Sequence, residues 1–226
     1  DKDHFIAYKL LGDLYLQQKK WHEADKAFRQ VIKIKPEWAD IYRELAKIAL
    51  IENNQASAIK VLQKGIEQSQ GAIALYNDLA TIYHNQGDQT KALAWYEKAY
   101  QQLPASALAI NNLAAYLLYI DESPETLARA AKLAEPLEQT ANAQLLDTVA
   151  WIALKQGLYN KAQSILENLV AKNESTPLIH YHLGMVYFKQ GDKLQAKNYL
   201  HKALSASSDF EGLEELKQVL NSIKET

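Results

Sequence analysis

The sequence predicts an all-α fold, an α-solenoid of six helix-turn-helix repeats closed by a C-terminal capping helix. Three observations carry that prediction: small residues recur at a near-constant interval, apolar residues around them keep helical spacing, and helix-stopping residues fall in the gaps. One ladder of small residues runs Gly12, Ala46, Ala80, Ala114, Ala150 and Gly184, at intervals of 34, 34, 34, 36 and 34. A second runs Ala24, Ala58, Ala92, Leu127, Ala162 and Ala196, at intervals of 34, 34, 35, 35 and 34. Antiparallel helices need small side chains at matching points wherever their backbones come close, because a large one there would push the pair apart.

In the first repeat, residues 5–38, Tyr8, Leu11, Gly12 and Tyr15 stand at i, i+3, i+4 and i+7 on one face of the first helix. Ala24, Phe28 and Val31 give the face of the second helix, and Pro36, which cannot extend a helix, closes it. Lys19 lies in the turn, where other repeats carry a residue suited to a left-handed helix stop, and is the exception to that pattern. The second repeat, 39–72, turns at Asn53. The third, 73–106, pairs Tyr76, Leu79, Ala80 and Tyr83 with Ala92, Tyr96 and Ala99, turning at Gly87 and ending at Pro104. The fourth, 107–142, is longer by two residues and carries IDESPETL in its turn. Asp121 is its expected left-handed stop, Ser123 its N-cap and Pro124 the first residue of its second helix. Pro136 is expected to bend or end that helix early, with a local change in the pitch of the stack.

The fifth repeat, 143–176, turns at Gly157, and the sixth, 177–210, sets His180, Leu183, Gly184 and Tyr187 against Ala196, Leu200 and Ala203 across Gly191. Beyond it, Leu213, Leu216, Leu220 and Ile223 mark one face of a last helix, 211–226. Its positions equivalent to the small ladder residues carry Lys217 and Gln218, the polar outer face that a terminal cap needs. Residues 1–226 thus read as a single array. The N-terminal end shows no cap, and since the chain opens on Asp1 and its one methionine is Met185, it is expected to be a piece of a longer protein in which the array continues.

Composition narrows the function classes. The 226 residues are 48% hydrophobic, enough for a packed core, and 25 basic against 27 acidic residues leave a net charge of -2. With no basic block, nothing in the chain is suited to gripping a phosphate backbone, so nucleic acid is excluded as a partner. The absence of cysteine removes disulfides, thiolate catalysis and cysteine metal sites. No apolar run approaches the roughly 20 residues a membrane span requires.

Catalytic patterns are equally lacking. His180 and His182 stand two apart on one helix, so their side chains point about 200° from each other and cannot share an ion. There is no glycine-rich phosphate loop, no Ser-His-Asp set and no carboxylate dyad placed for a cleft. The sequence therefore predicts no enzyme, no cofactor and no metal.

The segments YKLLGDLYLQQKKWHEADKAFRQVIKIKP and YNDLATIYHNQGDQTKALAWYEKAYQQLP carry an aromatic, a Leu-Gly or Leu-Ala pair, a tyrosine, then alanine, an aromatic and proline in order. This is similar to the tetratricopeptide repeat, a 34-residue helix-turn-helix unit that stacks into a right-handed superhelix. The resemblance covers almost the whole chain. It implies a scaffold that binds a peptide or helix of another protein in a concave groove lined by the fifth, ninth and twelfth positions of the first helices. In this sequence those positions give Lys9 and Asp13, Arg43 and Lys47, Asn77, Thr81 and His84, then Asn111 and Ala115. Asp147 and Trp151, then Tyr181, Met185 and Phe188, complete the set, so charge dominates the first half and aromatics the last. Trp151, Met185 and Phe188 read equally well as packing residues, and Tyr181 is the favoured exposed anchor.

The carboxylate clamp known in this family is rejected. Lys9 matches it, but Asp13 replaces the required asparagine and Asp78 would repel a carboxylate ligand. The second half, from NNLAAYLLYIDESPETLARAAKLAEPL onward, also resembles bacterial tetratricopeptide lipoproteins of exopolysaccharide and exosortase (PEP-CTERM) systems. That resemblance implies a bacterial cell-envelope or periplasmic setting, with a cytoplasmic one otherwise. Two other readings stand beside partner binding: a structural element that self-associates into homo-oligomers through its open N-terminal end or convex face, and a regulatory or adaptor domain of a larger protein.

Overall fold

The computed structural model describes residues 4–69, 72–207, 209–210 and 212–224, and the fold is all-α. The chain divides into two compact units, 1–112 and 113–226. The first holds α1 (His4–Gln17), α2 (Trp21–Ile34), α3 (Ala39–Ile51), α4 (Gln55–Gln68), α5 (Ile73–Asn85), α6 (Gln89–Gln102) and the start of α7 (Ala107–Ile120). The second holds the remainder of α7, α8 (Pro124–Ala134), a 3-10 helix (Glu135–Gln139), α9 (Ala143–Lys155), α10 (Tyr159–Ala171), α11 (Pro177–Gln190), α12 (Lys193–Ala206) and α13 (Leu213–Lys224). Among the described residues no helix is long and apolar enough to cross a membrane.

Within each unit helices pack as consecutive pairs, α1 on α2, α3 on α4, α5 on α6, α9 on α10 and α11 on α12, and each pair leans on the next. The ladder residues are the contact points: Ala24, Ala58, Ala80, Ala92, Ala114, Ala150, Ala162 and Ala196 are all fully buried. A Cβ placed on Gly184 would lie 2.7 Å from Cγ of Leu200 and 3.1 Å from the Leu200 backbone nitrogen, so glycine is what lets α11 reach α12. Four residues on from Ala24, Ala58, Ala162 and Ala196 comes the filler, Phe28, Leu62, Leu166 and Leu200, each fully buried and each contributing about 2 kcal/mol of apolar transfer.

The fourth repeat corrects the second ladder. Leu127 is only partly buried, and the buried set at i, i+4 and i+7 is Ala130, Ala134 and Leu137, matching Ala24, Phe28 and Val31 of the first repeat. The spacing from first to second ladder is 12 residues in every other repeat (Gly12 to Ala24, for example) but 16 from Ala114 to Ala130. The turn itself is three residues in both, 18–20 and 121–123; the four extra residues come from α7 running one residue further past Ala114 and α8 beginning three residues earlier ahead of Ala130. Two of the four are recovered afterwards, with 20 residues from Ala130 to Ala150 against 22 in the other repeats: α8 stops at Ala134 and Pro136 lies in the short 3-10 helix, the early ending expected from proline.

The turns differ from expectation at two residues. Gly87, Gly157, Gly191 and Asn53 adopt positive φ as predicted, but Lys19 does too, at φ 57°, despite its Cβ. Asp121 does not. Its carboxylate instead accepts hydrogen bonds from the Ser123 backbone N–H (2.9 Å), the Ser123 hydroxyl (2.5 Å) and the Thr126 hydroxyl (2.7 Å), which hold its pKa below the usual carboxylate range. Ser123 then caps α8 by accepting from the Thr126 N–H at 3.3 Å, with Pro124 opening the helix.

The C-terminal helix closes its unit as the apolar pattern predicts. Leu216, Val219 and Leu220 of α13 are buried against α11 and α12, while Lys217 and Gln218 stay exposed.

Candidate functional site

The second unit contains a cleft of about 290 Å³ built from one face of each first helix. On α9, Asp147, Trp151 and Lys155 stand at i, i+4 and i+8, so they form one stripe. On α11, Leu178, Tyr181 and His182 share a face by the i, i+3, i+4 rule, and Tyr119 and Glu122 come from the end of α7 and its turn. Gly212 and Glu215 close the cleft at the start of α13. Gly212 has φ 91°, and a Cβ there would fall 2.5 Å from Cζ of Tyr181, so both conformation and space demand glycine.

The floor is a buried polar pair inside an aromatic cluster. His182 Nδ1 lies 2.7 Å from Asp147 Oδ1, with both side chains 7% exposed. The Trp151 ring stacks on the His182 ring at 4.1 Å between centroids and 20° between planes. Tyr181 is tilted against both, at 5.6 Å from Trp151 and 5.3 Å from His182, and its hydroxyl donates to Glu215 at 2.7 Å. At the rim, Lys155 Nζ pairs with Glu122 at 2.6 Å and sits 4.6 Å from the Trp151 ring centre, a cation-π contact within the protein itself.

The sequence-predicted groove residues therefore fall into separate groups. Asp147, Trp151 and Tyr181 meet in this cleft, but Tyr181 is buried, 1% exposed, under Phe210 and Gly212, which corrects its reading as an exposed anchor. Met185 is likewise buried in the core of the second unit, and Phe188 is partly buried against that core. Arg43, Lys47 and Thr81 line a second cleft of about 160 Å³ in the first unit, between α3 and α5. There Arg43 forks onto Asp78, Nε to Oδ2 at 2.7 Å and Nη2 to Oδ1 at 3.3 Å, and this hydrogen bonding raises the Arg43 pKa.

Lys9 and Asp13 pair with one another at 2.6 Å, and Lys47 with Glu44 at 2.7 Å. Asn77 and His84 are half-buried on α5, Ala115 lines the cleft of the second unit, and Asn111 is buried. Among the described residues no group of three His, Asp or Glu side chains is placed to hold a metal ion.

The sequence reading missed His182, Lys155, Glu122, Glu215 and Tyr119. A signal was available: Arg43 and Asp78 are 35 residues apart, Asp147 and His182 35, and Tyr181 and Glu215 34, so complementary residues one repeat apart meet along successive first helices.

Tetratricopeptide repeat models match residues 5–38 and 177–210, and a further model of the same repeat matches 73–101. The chain carries tetratricopeptide repeats. Such repeats generally serve as protein-interaction scaffolds. Solved structures similar to these tetratricopeptide repeats include the APC/C hetero-tetramer Cut9-Hcn1, with a TM-score of 0.69 and 17% identity over 97% of this chain. The match takes in 42% of that chain, so the present sequence spans less than half its length. MamA from residue 41 to its end, from Desulfovibrio magneticus RS-1, has a TM-score of 0.56 at 18% identity, covering 74% of this chain and 94% of that one. A tetratricopeptide repeat protein from Parabacteroides merdae ATCC 43184 has a TM-score of 0.52 at 14% identity, covering 97% and 98%. At these identities the likeness is one of fold. No curated protein matches the chain in sequence.

Proposed function

We propose that the chain is a protein-interaction scaffold that holds a segment of a partner protein in the cleft of its second unit. The observation that carries this is an aromatic wall that packing leaves open: Tyr119 is 49% exposed and Trp151 only half-buried, both facing the same concavity. The helices that hold these rings are already fixed by their ladder contacts, so binding costs the scaffold little ordering entropy. The test is to select peptides by display on the whole chain and titrate them against Trp151→Ala and Tyr119→Ala, with folding checked by thermal melting. Loss of an anchor of this kind weakens binding by roughly 30-fold. Selected peptides that bind both folded variants as tightly as the parent chain would remove this cleft from consideration.

A second reading, self-association, is favoured by a different face. Tyr8 and Leu11 of α1 are 36% and 39% exposed, whereas Tyr42 and Leu45, their counterparts one repeat on, are buried. Light scattering across a concentration series, on the parent chain and on Leu11→Glu, tests it: mass that rises with concentration only in the parent supports the reading. A role in bacterial exopolysaccharide synthesis or export rests on the sequence resemblance of the second half alone.

A further inference from the structure

The cleft of the second unit is rich in acceptors and poor in donors. Three carboxylates, Glu122, Asp147 and Glu215, line it against one ammonium, Lys155. Lys155 pairs with Glu122 at 2.6 Å, while Asp147 lies against His182 and Glu215 accepts from the Tyr181 hydroxyl. Each of those carboxylates bonds through one oxygen and keeps further lone pairs. The His182 ring also lines the cleft, with Nδ1 2.7 Å from Asp147 Oδ1. The His182 side chain is just 7% exposed. Carboxylates that outnumber ammonium groups beside aromatic faces call for a cation that brings its own donors.

Resting on the reading of this cleft as the partner site, we propose that its occupant is an arginine side chain of the partner segment. Size agrees with one side chain: about 290 Å³ lies at the lower edge of the roughly 300–1,000 Å³ of whole-ligand pockets. Arginine fits better than lysine because its planar guanidinium carries five N–H donors, stacks on aromatic rings and is weakly hydrated. An acidic side chain is repelled by the two remaining carboxylates, and a neutral one leaves them unanswered. Lys155 shows the same preference from inside the molecule, since its ammonium already rests on Trp151 and Glu122.

The test uses the whole chain labelled with nitrogen-15 and three probes of near-equal size: N-acetyl-arginine amide, N-acetyl-lysine amide and N-acetyl-citrulline amide. The expected result is a saturable shift of the Trp151 indole N–H with the arginine probe, a weaker response to lysine and none to citrulline. Glu215→Gln, which keeps an oxygen for the Tyr181 hydroxyl, weakens arginine binding about tenfold. Lys155→Met, which keeps the apolar stem but removes a like charge, tightens it several-fold. An equal response to arginine and citrulline overturns the proposal, as does no response to arginine, or weaker arginine binding in the folded Lys155→Met variant. The two readings fail separately: display-selected peptides that need Trp151 but contain no basic residue preserve the cleft as a partner site while ending the arginine assignment. Selected peptides indifferent to Trp151 and Tyr119 end both.

Discussion

Asp147 and His182 face each other at 2.7 Å, one repeat apart in sequence, and link α9 to α11 away from solvent. Truncating one partner strands the other. His182→Ala leaves a buried carboxylate unpaired and costs about 3 kcal/mol, whereas the double replacement Asp147→Leu with His182→Leu costs far less than the sum of the single changes. Urea unfolding of the two single variants and the double variant measures this, and simple additivity would contradict it. Arg43 and Asp78 have the same spacing but are about a third exposed, so Asp78→Asn there costs no more than about 1 kcal/mol.

Gly184 and Leu200 set how closely α11 meets α12. Gly184→Ala pushes a methyl group into Leu200 and costs about 1–3 kcal/mol. In a Leu200→Ala background the same change costs less, because the side-chain atoms it strikes at 2.7 Å are gone and only the backbone nitrogen at 3.1 Å remains. Equal costs in both backgrounds would show that the contact does not set the spacing.

Lys19 and Gly87 occupy equivalent turns with the same left-handed sign of φ, 57° and 77°. Lys19→Gly relieves a strain of about 1 kcal/mol and raises the melting temperature, although the added freedom of the unfolded chain offsets part of the gain. Gly87→Ala lowers stability by about 1 kcal/mol even though its Cβ would meet nothing within 4 Å, since the penalty is conformational. A loss from Lys19→Gly would place the strain elsewhere.

His180 is held below its ordinary pKa, first by burial and then by the charge of Lys202. The folded chain therefore takes up this proton later than the unfolded chain as pH falls. Below about pH 6.5 the unfolded state binds more protons, so stability declines from pH 7 toward 5, and above that range the residue contributes no pH dependence. His180→Asn flattens this part of the profile in denaturant melts taken at intervals of pH. An unchanged slope would exclude His180 as its source.

Much of the architecture was legible because packing at Gly12, Ala46, Ala80 and their successors penalises any large side chain, which imprints the repeat length on the sequence. Leu127 misled for a physical reason. The four residues added between Ala114 and Ala130 are half offset by the early end of α8, so a near-constant interval lands one helical turn short of Ala130. Tyr181 was placed on the correct face of its helix, but spacing along one helix cannot reveal that Phe210 and Gly212 lie over it. His182 was judged by its neighbour His180, whereas its bonding partner lies a full repeat upstream.

The bonds between residues 34 or 35 positions apart have a consequence for how such a chain can change in length. Adding or deleting one residue inside a helix that carries one of the partners rotates the part beyond it by about 100° relative to the rest and turns Arg43, Asp147 or Tyr181 away from its counterpart. Cutting or inserting a whole repeat offers each of them the corresponding position on the new neighbour. Growth by duplication is therefore easier for this protein than growth by single-residue drift, and an engineer lengthening it should work in whole modules.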